Sequence, residues 1–291
     1  MIDESLIYDV GTHKGEDAEF YLKKGFRVIA IEANPQFCAI VSDRLSDYVK
    51  SGTLTVLNVA ISNNIGDIEF YVDQRVSVWG TTNRDWVERN KGMGAGDVQT
   101  LTVRSVRLAD IMQEYGVPRY CKIDIEGNDL DALVSLESLS EPPRFISIES
   151  DKTSWEKLFR EFQTFEKLGY NRYKIIDQSL VSLQKSPTPP LEGGPYIGSF
   201  ESGSSGLFGN ELPGPWLDVF QTLEAYKNIF RGYAINGDSG LFTGDRKSIF
   251  HMLSILQERV FRFKGFGNYT TPERILPPAG WYDTHATRST S

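Results

Sequence analysis

Short apolar runs alternate with amphipathic stretches along the first 170 residues of the chain. Runs typical of strands buried on both faces lie at residues 6–10, 27–32, 53–59, 120–125 and 145–148. Apolar residues recur at helical spacing over residues 16–24, 35–45, 108–115, 129–139 and 155–168. This order of elements predicts an α/β fold with a doubly wound, Rossmann-like and mostly parallel sheet.

The pattern also predicts how the sheet is completed. Residues 68–72 and 101–103 are β-prone, and the polar insertion between them, residues 74–97, is long for a plain turn. Residues 173–176 and 180–183 are two further β-prone runs, and the three residues that join them allow only an antiparallel hairpin. We therefore expect a seven-stranded sheet whose final strand is antiparallel.

Residues 186–215 predict a boundary, because these 30 residues include 7 Gly, 6 Pro and 5 Ser. We place the α/β domain at residues 1–185. Residues 186–291 then form a loop-rich extension with helices near 216–230 and 246–259. Its Gly-Ser-rich loop, residues 201–209, is expected to act as a lid or in substrate recognition.

Composition narrows the class of protein. The 291 residues are 40% hydrophobic and 24% charged, which is typical of a folded domain. A net charge of -8 argues against binding to nucleic acid or to an anionic membrane. Cys38 and Cys121 lie in apolar runs, which favours buried, reduced thiols. We expect a cytoplasmic location, since the sequence shows neither a cationic signal start nor an apolar run of about 18 residues.

The first strand leads into a D-x-G-x-x-x-G turn, and Glu32 ends the second strand. Ligands of doubly wound sheets bind at this edge. A dinucleotide motif needs a glycine at position 13, where this chain has His13. S-adenosylmethionine instead offers an ammonium, which Asp9 would hold directly or through water, and a ribose diol, which Glu32 would bind. The spacing favours that cofactor, while a tight turn without a ligand remains the alternative for Gly11 and Gly15.

Acidic residues follow the later strands. Asp124 and Glu126 are two apart on a predicted strand and so point to one side, and Glu149 ends the next strand. Three acids at one edge are suited to taking a proton from a hydroxyl. They would also suit a divalent ion, although no metal site is predicted. The alternative is that they only mark exposed strand ends. Asn128 is expected to cap the helix that follows.

The aromatic tail, residues 281–286, is expected to lie outside the sheet. Trp281 and Tyr282 offer faces for a sugar or an apolar ring, and Asp283 and His285 offer a base. Simple packing of the tail over the core is the alternative.

Four motifs in order resemble the FkbM-type branch of class I S-adenosylmethionine-dependent methyltransferases over residues 5–150. They lie at residues 9–15, 31–35, 59–62 with Gly66 and Phe70, and 122–127. Most members carry Ala-Asn in place of Thr12-His13, although a subset shares the His-Lys form. His13 is therefore either a cofactor contact or a solvent-facing or capping residue. The cofactor-binding residues that the resemblance and the motifs give are Asp9, Gly11, Thr12, His13, Gly15, Glu32, Ala33, Asn58, Val59, Ala60 and Asp124.

The resemblance implies an O-methyltransferase that acts on a hydroxyl of a sugar, glycan precursor or secondary metabolite. The candidate catalytic residues are Asp124, Glu126, Glu149 and His285. The expected partner is a small-molecule or glycan acceptor, with no nucleic acid and no membrane. Two alternatives remain, a nicotinamide-dependent oxidoreductase of similar fold and a cofactor-binding protein without turnover.

Overall fold

A computed structural model of the chain describes residues 1–73, 75–76, 80–92, 94, 96–201, 203–237, 249–265, 267–277 and 280–289. The chain divides into two compact units, the first formed by residues 1–146 with 193–196 and the second by residues 147–192 with 197–291. Within the described residues, none of the helices combines the length and apolarity that a membrane crossing requires.

The strands of the first unit confirm the α/β prediction. They are β1 (Ile2–Val10), β2 (Arg27–Ile31), β3 (Leu54–Leu57), β4 (Ala60–Ile61), β5 (Gly66–Asp73), β6 (Val98–Val106) and β7 (Val117–Ile123). Four of them form parallel neighbours in the order β7-β1-β2-β3. Strand β1 thus has β2 on one side and β7 on the other, which is the strand order that creates a ligand-binding crevice in doubly wound folds.

The described residues of the first unit also form helices. They are α1 (Glu16–Lys23), α2 (Pro35–Arg44), α3 (Ser46–Lys50), α4 (Arg84–Gly92), α5 (Leu108–Tyr115) and α6 (Asp129–Ser135). At the start of α2 the Asn34 side chain accepts a hydrogen bond from the backbone of Gln36, and Pro35 occupies the first turn. Both cysteines are free and buried, as predicted.

A separate three-stranded sheet, in the order β4-β6-β5, takes residues that we assigned to the main sheet. Residues 68–72 and 101–103 are strand, as predicted, but they pair with each other in antiparallel register. Ala60, Phe70 and Val103 form the buried core of this small sheet. The insertion between β5 and β6 contains α4, and its residues 74, 77–79, 93 and 95 lie outside the described residues.

Strand β8 (Phe145–Glu149) begins in the first unit and ends in the second. The other elements of the second unit are α7 (Trp155–Lys167), β9 (Arg172–Asp177), α8 (Val219–Asn236), α9 (Ile249–Phe263), β10 (Tyr269–Thr270) and β11 (Tyr282–Thr287). Helix α8 begins with a capping box formed by Asp218 and Gln221. The predicted helix start at residues 246–248 lies outside the described residues.

The expected hairpin of residues 173–183 is wrong in its second strand. Residues Gln178–Leu183 form a 3-10 helix. The antiparallel partner of β9 is β11, formed by the tail that we expected outside the sheet. In the second unit the strands follow the order β10-β9-β11-β8. The compact units therefore do not divide at residue 185, because residues on both sides of that position share this sheet.

The Gly-Ser-rich loop also differs from the expected lid. Residues 204–209 are buried. The backbone N–H of Leu207 donates to Gln184, and a Cβ at Gly209 would lie 2.5 Å from an oxygen of Glu192. Residues 204–209 are thus a packed part of the second unit.

Candidate active site

The D-x-G-x-x-x-G turn joins the ends of three strands in the first unit. The N–H groups of Gly11 and Thr12 both donate to the carbonyl of Ile31, the last residue of β2. Gly11 has a φ of 81°, and a Cβ there would lie 1.9 Å from the carbonyl oxygen of Asp124, just after β7. Position 11 therefore needs glycine for its backbone angle and for close approach to a second backbone.

We expect Gly11→Ala to destabilise the protein by about 2–4 kcal/mol, because strain at positive φ adds to overpacking. Gly52→Ala is the matched control, since Gly52 has a φ of 75° and a Cβ there would meet nothing within 4 Å. The control should cost about 1 kcal/mol, from backbone strain alone. Urea unfolding measures both, and equal losses would show that the contact with Asp124 is unimportant.

Glu32 lies directly after β2 and is 8% exposed. Its carboxylate accepts backbone N–H groups from His13, at 2.9 Å, and from Asn34, at 2.8 Å. Burial raises the pKa of Glu32 to about 7, against the lowering effect of these two hydrogen bonds. The group thus changes charge near neutral pH and is fixed in position by two backbone donors.

The segment after β3 supports the end of β2. The Asn58 amide donates to the carbonyls of Glu32, at 2.9 Å, and Ala33, at 3.0 Å. Asn58 is exposed, Val59 is half-buried and Ala60 is buried. Asn58 therefore fixes the backbone on which Glu32 is carried, and Ala33 and Val59 are the partly accessible residues beside it.

Lys122 connects the acids around the turn. Its Nζ lies 3.4 Å from Asp9, 3.5 Å from Asp17 and 3.7 Å from Asp124, and it donates to the carbonyl of Gly11 at 3.3 Å. Because the lysine is 4% exposed, these contacts are little screened by water. Lys122 therefore holds the ends of β1, α1 and β7 together.

Asp9 is fully buried, so its position differs from that of a residue in direct contact with a ligand. One carboxylate oxygen accepts the hydroxyl hydrogen of Thr12 at 2.6 Å, and the other faces Lys122. By contrast, the side chain of Asp124 is 35% exposed. Asp9 positions the turn, and Asp124 is the acid of this cluster that remains accessible.

His13 adopts a left-handed backbone with a φ of 51°, which directs its N–H to Glu32. Its imidazole lies 3.4 Å from Glu16, in the first turn of α1, and packs edge-on against Phe37. Gly15, with a φ of 83°, precedes this helix, and its carbonyl accepts from Arg44 at 2.6 Å. The backbone of His13 thus fixes the Glu32 carboxylate, while its side chain contacts α1 and α2.

The acids after β7 do not lie on the strand, because β7 ends at Ile123. Asp124 and Glu126 belong to the turn that follows, and Glu126 has a φ of 52°. The alternation argument was therefore wrong, yet carboxylate oxygens of the two residues lie within 4.8 Å of each other. Asn128 makes no capping hydrogen bond with its side chain; instead Asp129 accepts from the backbone of Ile125 and Gly127.

Residues of the insertion between β5 and β6 contact the turn that follows β7. The sequence did not reveal these contacts. Thr81 donates its hydroxyl hydrogen to the carbonyl of Glu126 at 2.7 Å. Trp86 on α4 lies so close that a Cβ at Gly127 would be 2.4 Å from the indole nitrogen. The Lys122 contacts were also missed, although that residue begins the motif at 122–127. The sequence did offer a signal for these contacts, because Lys122 lies close to two acids, Asp124 and Glu126.

Glu149 and His285 belong to the second unit. Glu149 ends β8 and forms an ion pair with Lys152, each side chain being 12% exposed. His285 is 2% exposed within β11, and burial together with Lys174 lowers its pKa to about 3. A general base needs a pKa near the working pH and access to the substrate. Burial and a lowered pKa make His285 poorly suited to that role, which stays a prediction.

The sequence matches the family model described as methyltransferase FkbM domain over residues 9–172. The chain belongs to the FkbM methyltransferase family. It is accordingly a methyltransferase, and the oxidoreductase alternative is set aside. Members of this class use S-adenosylmethionine, which the family therefore implies as the cofactor.

The solved structures that are similar to this methyltransferase are distant from it in sequence. No curated protein matches its sequence. A precorrin-6y C5,15-methyltransferase from Geobacter metallireducens is 14% identical with a TM-score of 0.33, and the match covers 61% of this chain and 70% of that one. A SAM-dependent O-methyltransferase from Thermotoga maritima is 10% identical with a TM-score of 0.33, and the match covers 60% and 48% respectively.

Proposed function

We propose that this methyltransferase transfers the methyl group of S-adenosylmethionine to a hydroxyl of a sugar, glycan precursor or secondary metabolite. The observation that carries the proposal is the arrangement of carboxylates around the Gly11 turn, with Glu32 after β2 and Asp124 and Glu126 after β7. These residues meet two separate needs, which are binding of a cationic, diol-bearing cofactor and deprotonation of a hydroxyl.

The residues present fit the cofactor. Glu32 has two fixed oxygens at the strand end where a ribose diol is bound in this type of fold. Asp124 is accessible and is the proposed partner of the methionine ammonium. Asp9 and Lys122 act indirectly, by holding the Gly11 turn and Asp124. When bound, S-adenosylmethionine supplies an electrophilic methyl group on sulfur and leaves as a neutral thioether.

Transfer to a hydroxyl requires alignment and removal of one proton. An oxygen–methyl bond forms as the sulfur–methyl bond breaks, and the hydroxyl proton goes to a carboxylate. Glu126 is the proposed acceptor in the first unit. Asp124 is the alternative acceptor, but a carboxylate that pairs with the ammonium is less basic, so it would not fill both roles at once. Glu149, which ends β8 in the second unit, is the third acid that we propose as an acceptor.

Glu32→Ala is expected to weaken S-adenosylmethionine binding by about 1.5–3 kcal/mol, which is the loss of hydrogen bonds to a charged group. The bound diol favours the ionised carboxylate, so wild-type affinity should fall as the pH drops below about 7, the pKa that burial gives Glu32. Calorimetry at pH 6 and pH 8 measures both effects. Glu114→Gln, at an exposed position, is the control and should bind as the wild type does.

Unchanged affinity in Glu32→Ala would remove the ribose assignment. The acceptor class is tested separately, by incubating the protein with methyl-labelled S-adenosylmethionine and panels of nucleotide sugars, glycan extracts, phenols and amines. Label is expected in a base-stable ether on a hydroxyl compound. Label found only on nitrogen or carbon would contradict the proposed acceptor and leave methyl transfer intact.

A further inference from the structure

Helix α9 carries an apolar stripe that faces solvent. Six large apolar side chains are between 46% and 94% exposed: Ile249, Met252, Leu253, Leu256, Val260 and Phe263. Their spacing of three and four residues places them on one face of the helix. Single exposed apolar residues are normal on a protein surface, whereas a continuous stripe of this kind marks a surface that binds something.

The stretch of sequence that contains α9 has a net charge opposite in sign to that of the whole chain. Residues 246–264 contain five Lys and Arg and one acid, although the chain has a net charge of -8. Arg259 and Lys264 are exposed. With a rotation of about 100° per residue, they border the stripe on opposite sides, since the backbone of Lys264 continues the helical hydrogen bonding to Val260. The stripe thus has basic edges.

The exposed apolar stripe and its basic edges together indicate what kind of surface binds this face of α9. Amphipathic helices with an apolar face and basic residues lie in the plane of a membrane interface, where anionic lipid headgroups meet the basic edges. A second copy of the chain fits less well, because pairing α9 with itself would bring like charges together. We propose that α9 binds the surface of an anionic lipid bilayer and holds the methyltransferase there without crossing it.

The net charge of -8 is a sum over the whole chain, and it led to the expectation that the protein binds no anionic membrane. Membrane attraction depends on charges within about 8 Å of the surface at physiological salt. The 39 acids of the chain are spread along its sequence, and residues 246–264 contain one of them against five of the 31 Lys and Arg. The proposal is independent of the methyl acceptor, since none of its residues belongs to the candidate active site.

Co-sedimentation with vesicles tests the proposal. The full chain is expected to bind vesicles of phosphatidylcholine with phosphatidylglycerol, and to lose most binding in pure phosphatidylcholine or in high salt. Leu256→Ser should weaken partitioning into the vesicles about tenfold, because it removes one aliphatic side chain that becomes buried when α9 enters the bilayer surface. The matched control is Leu191→Ser, since Leu191 is 56% exposed and Leu256 59%, and it should bind as the wild type does.

Arg259→Gln should weaken binding to the anionic vesicles by about fivefold and leave any residual binding to neutral vesicles unchanged. Circular dichroism confirms that each variant is folded. The proposal is overturned by absence of binding to either vesicle, by equal losses in the two leucine variants, or by a dimer in solution that Leu256→Ser dissociates. Calorimetry with S-adenosylmethionine should give the same affinity in every variant, so these outcomes leave the proposed function untouched.

Discussion

A chain that ends at Gly280 is expected to lose the folded structure of the second unit. Strand β11 lies between β9 and β8 in the sheet of that unit, and all six of its residues are buried. Its removal exposes the backbone of β9 and deletes a buried hydroxyl network, in which Thr284 contacts Ser150 at 2.7 Å and Tyr226 at 2.6 Å. The loss should exceed the ~5–15 kcal/mol that stabilises a typical domain.

Thermal unfolding followed by circular dichroism, together with limited proteolysis, measures this effect. The matched control ends at Ser289, which keeps β11 and its pairing with β9. The control should unfold at the wild-type temperature, while the shorter chain should be cleaved rapidly within residues 147–192 and 197–277. A shorter chain with an unchanged melting temperature would mean that β11 is dispensable.

The second large effect is expected from substitution of the candidate catalytic acids, Asp124, Glu126 and Glu149. Glu126→Gln and Glu149→Gln should each retain cofactor affinity, and loss of the true base should lower the rate of methyl transfer by about 10²–10⁴-fold. Asp124→Asn should lower both rate and affinity, because Asp124 is the proposed partner of the ammonium and contacts Lys122. Single-turnover transfer of labelled methyl to an acceptor identified by the panel measures the rates, and calorimetry measures the affinities.

An exposed acid supplies the control for these variants. Glu137→Gln lies in the 3-10 turn after α6 and should transfer methyl at the wild-type rate. If all three variants of the acidic residues also keep the full rate, the acids serve only the structure of the strand ends. A rate that recovers at higher pH in one variant would indicate that hydroxide replaces the missing base.

The part of the site that was predictable from sequence is local. Gly11, Gly15 and Glu32 follow strands whose apolar runs are continuous, so their position at the edge of the sheet follows from the strand order alone. The wrong prediction that Glu126 lies on a strand had a local cause as well. Alternation fixes side-chain direction only within a strand, and the left-handed backbone of Glu126 belongs to a turn.

The partner of β9 was not predictable in this way. Residues 180–183 were close in sequence and β-prone, whereas the true partner lies more than one hundred residues further along the chain. Strand β11 is also rich in polar residues, including Asp283, Thr284 and His285, which usually indicate exposure. They are buried because hydrogen bonds within the second unit satisfy some of them, such as the 2.6 Å contact between Gln178 and Asp283.

The distance in sequence between β9 and β11 has a consequence for biosynthesis. Each register pair of these strands joins a residue between 172 and 177 to one between 282 and 287. Strands β1, β2, β3 and β7 are complete once residue 123 has been translated, so their sheet can form early on the ribosome. The sheet of the second unit must wait until residue 287 has left the exit tunnel. During that interval the edge of β9 that pairs with β11 is open, and an open strand edge is a place where a nascent chain can pair wrongly with another chain.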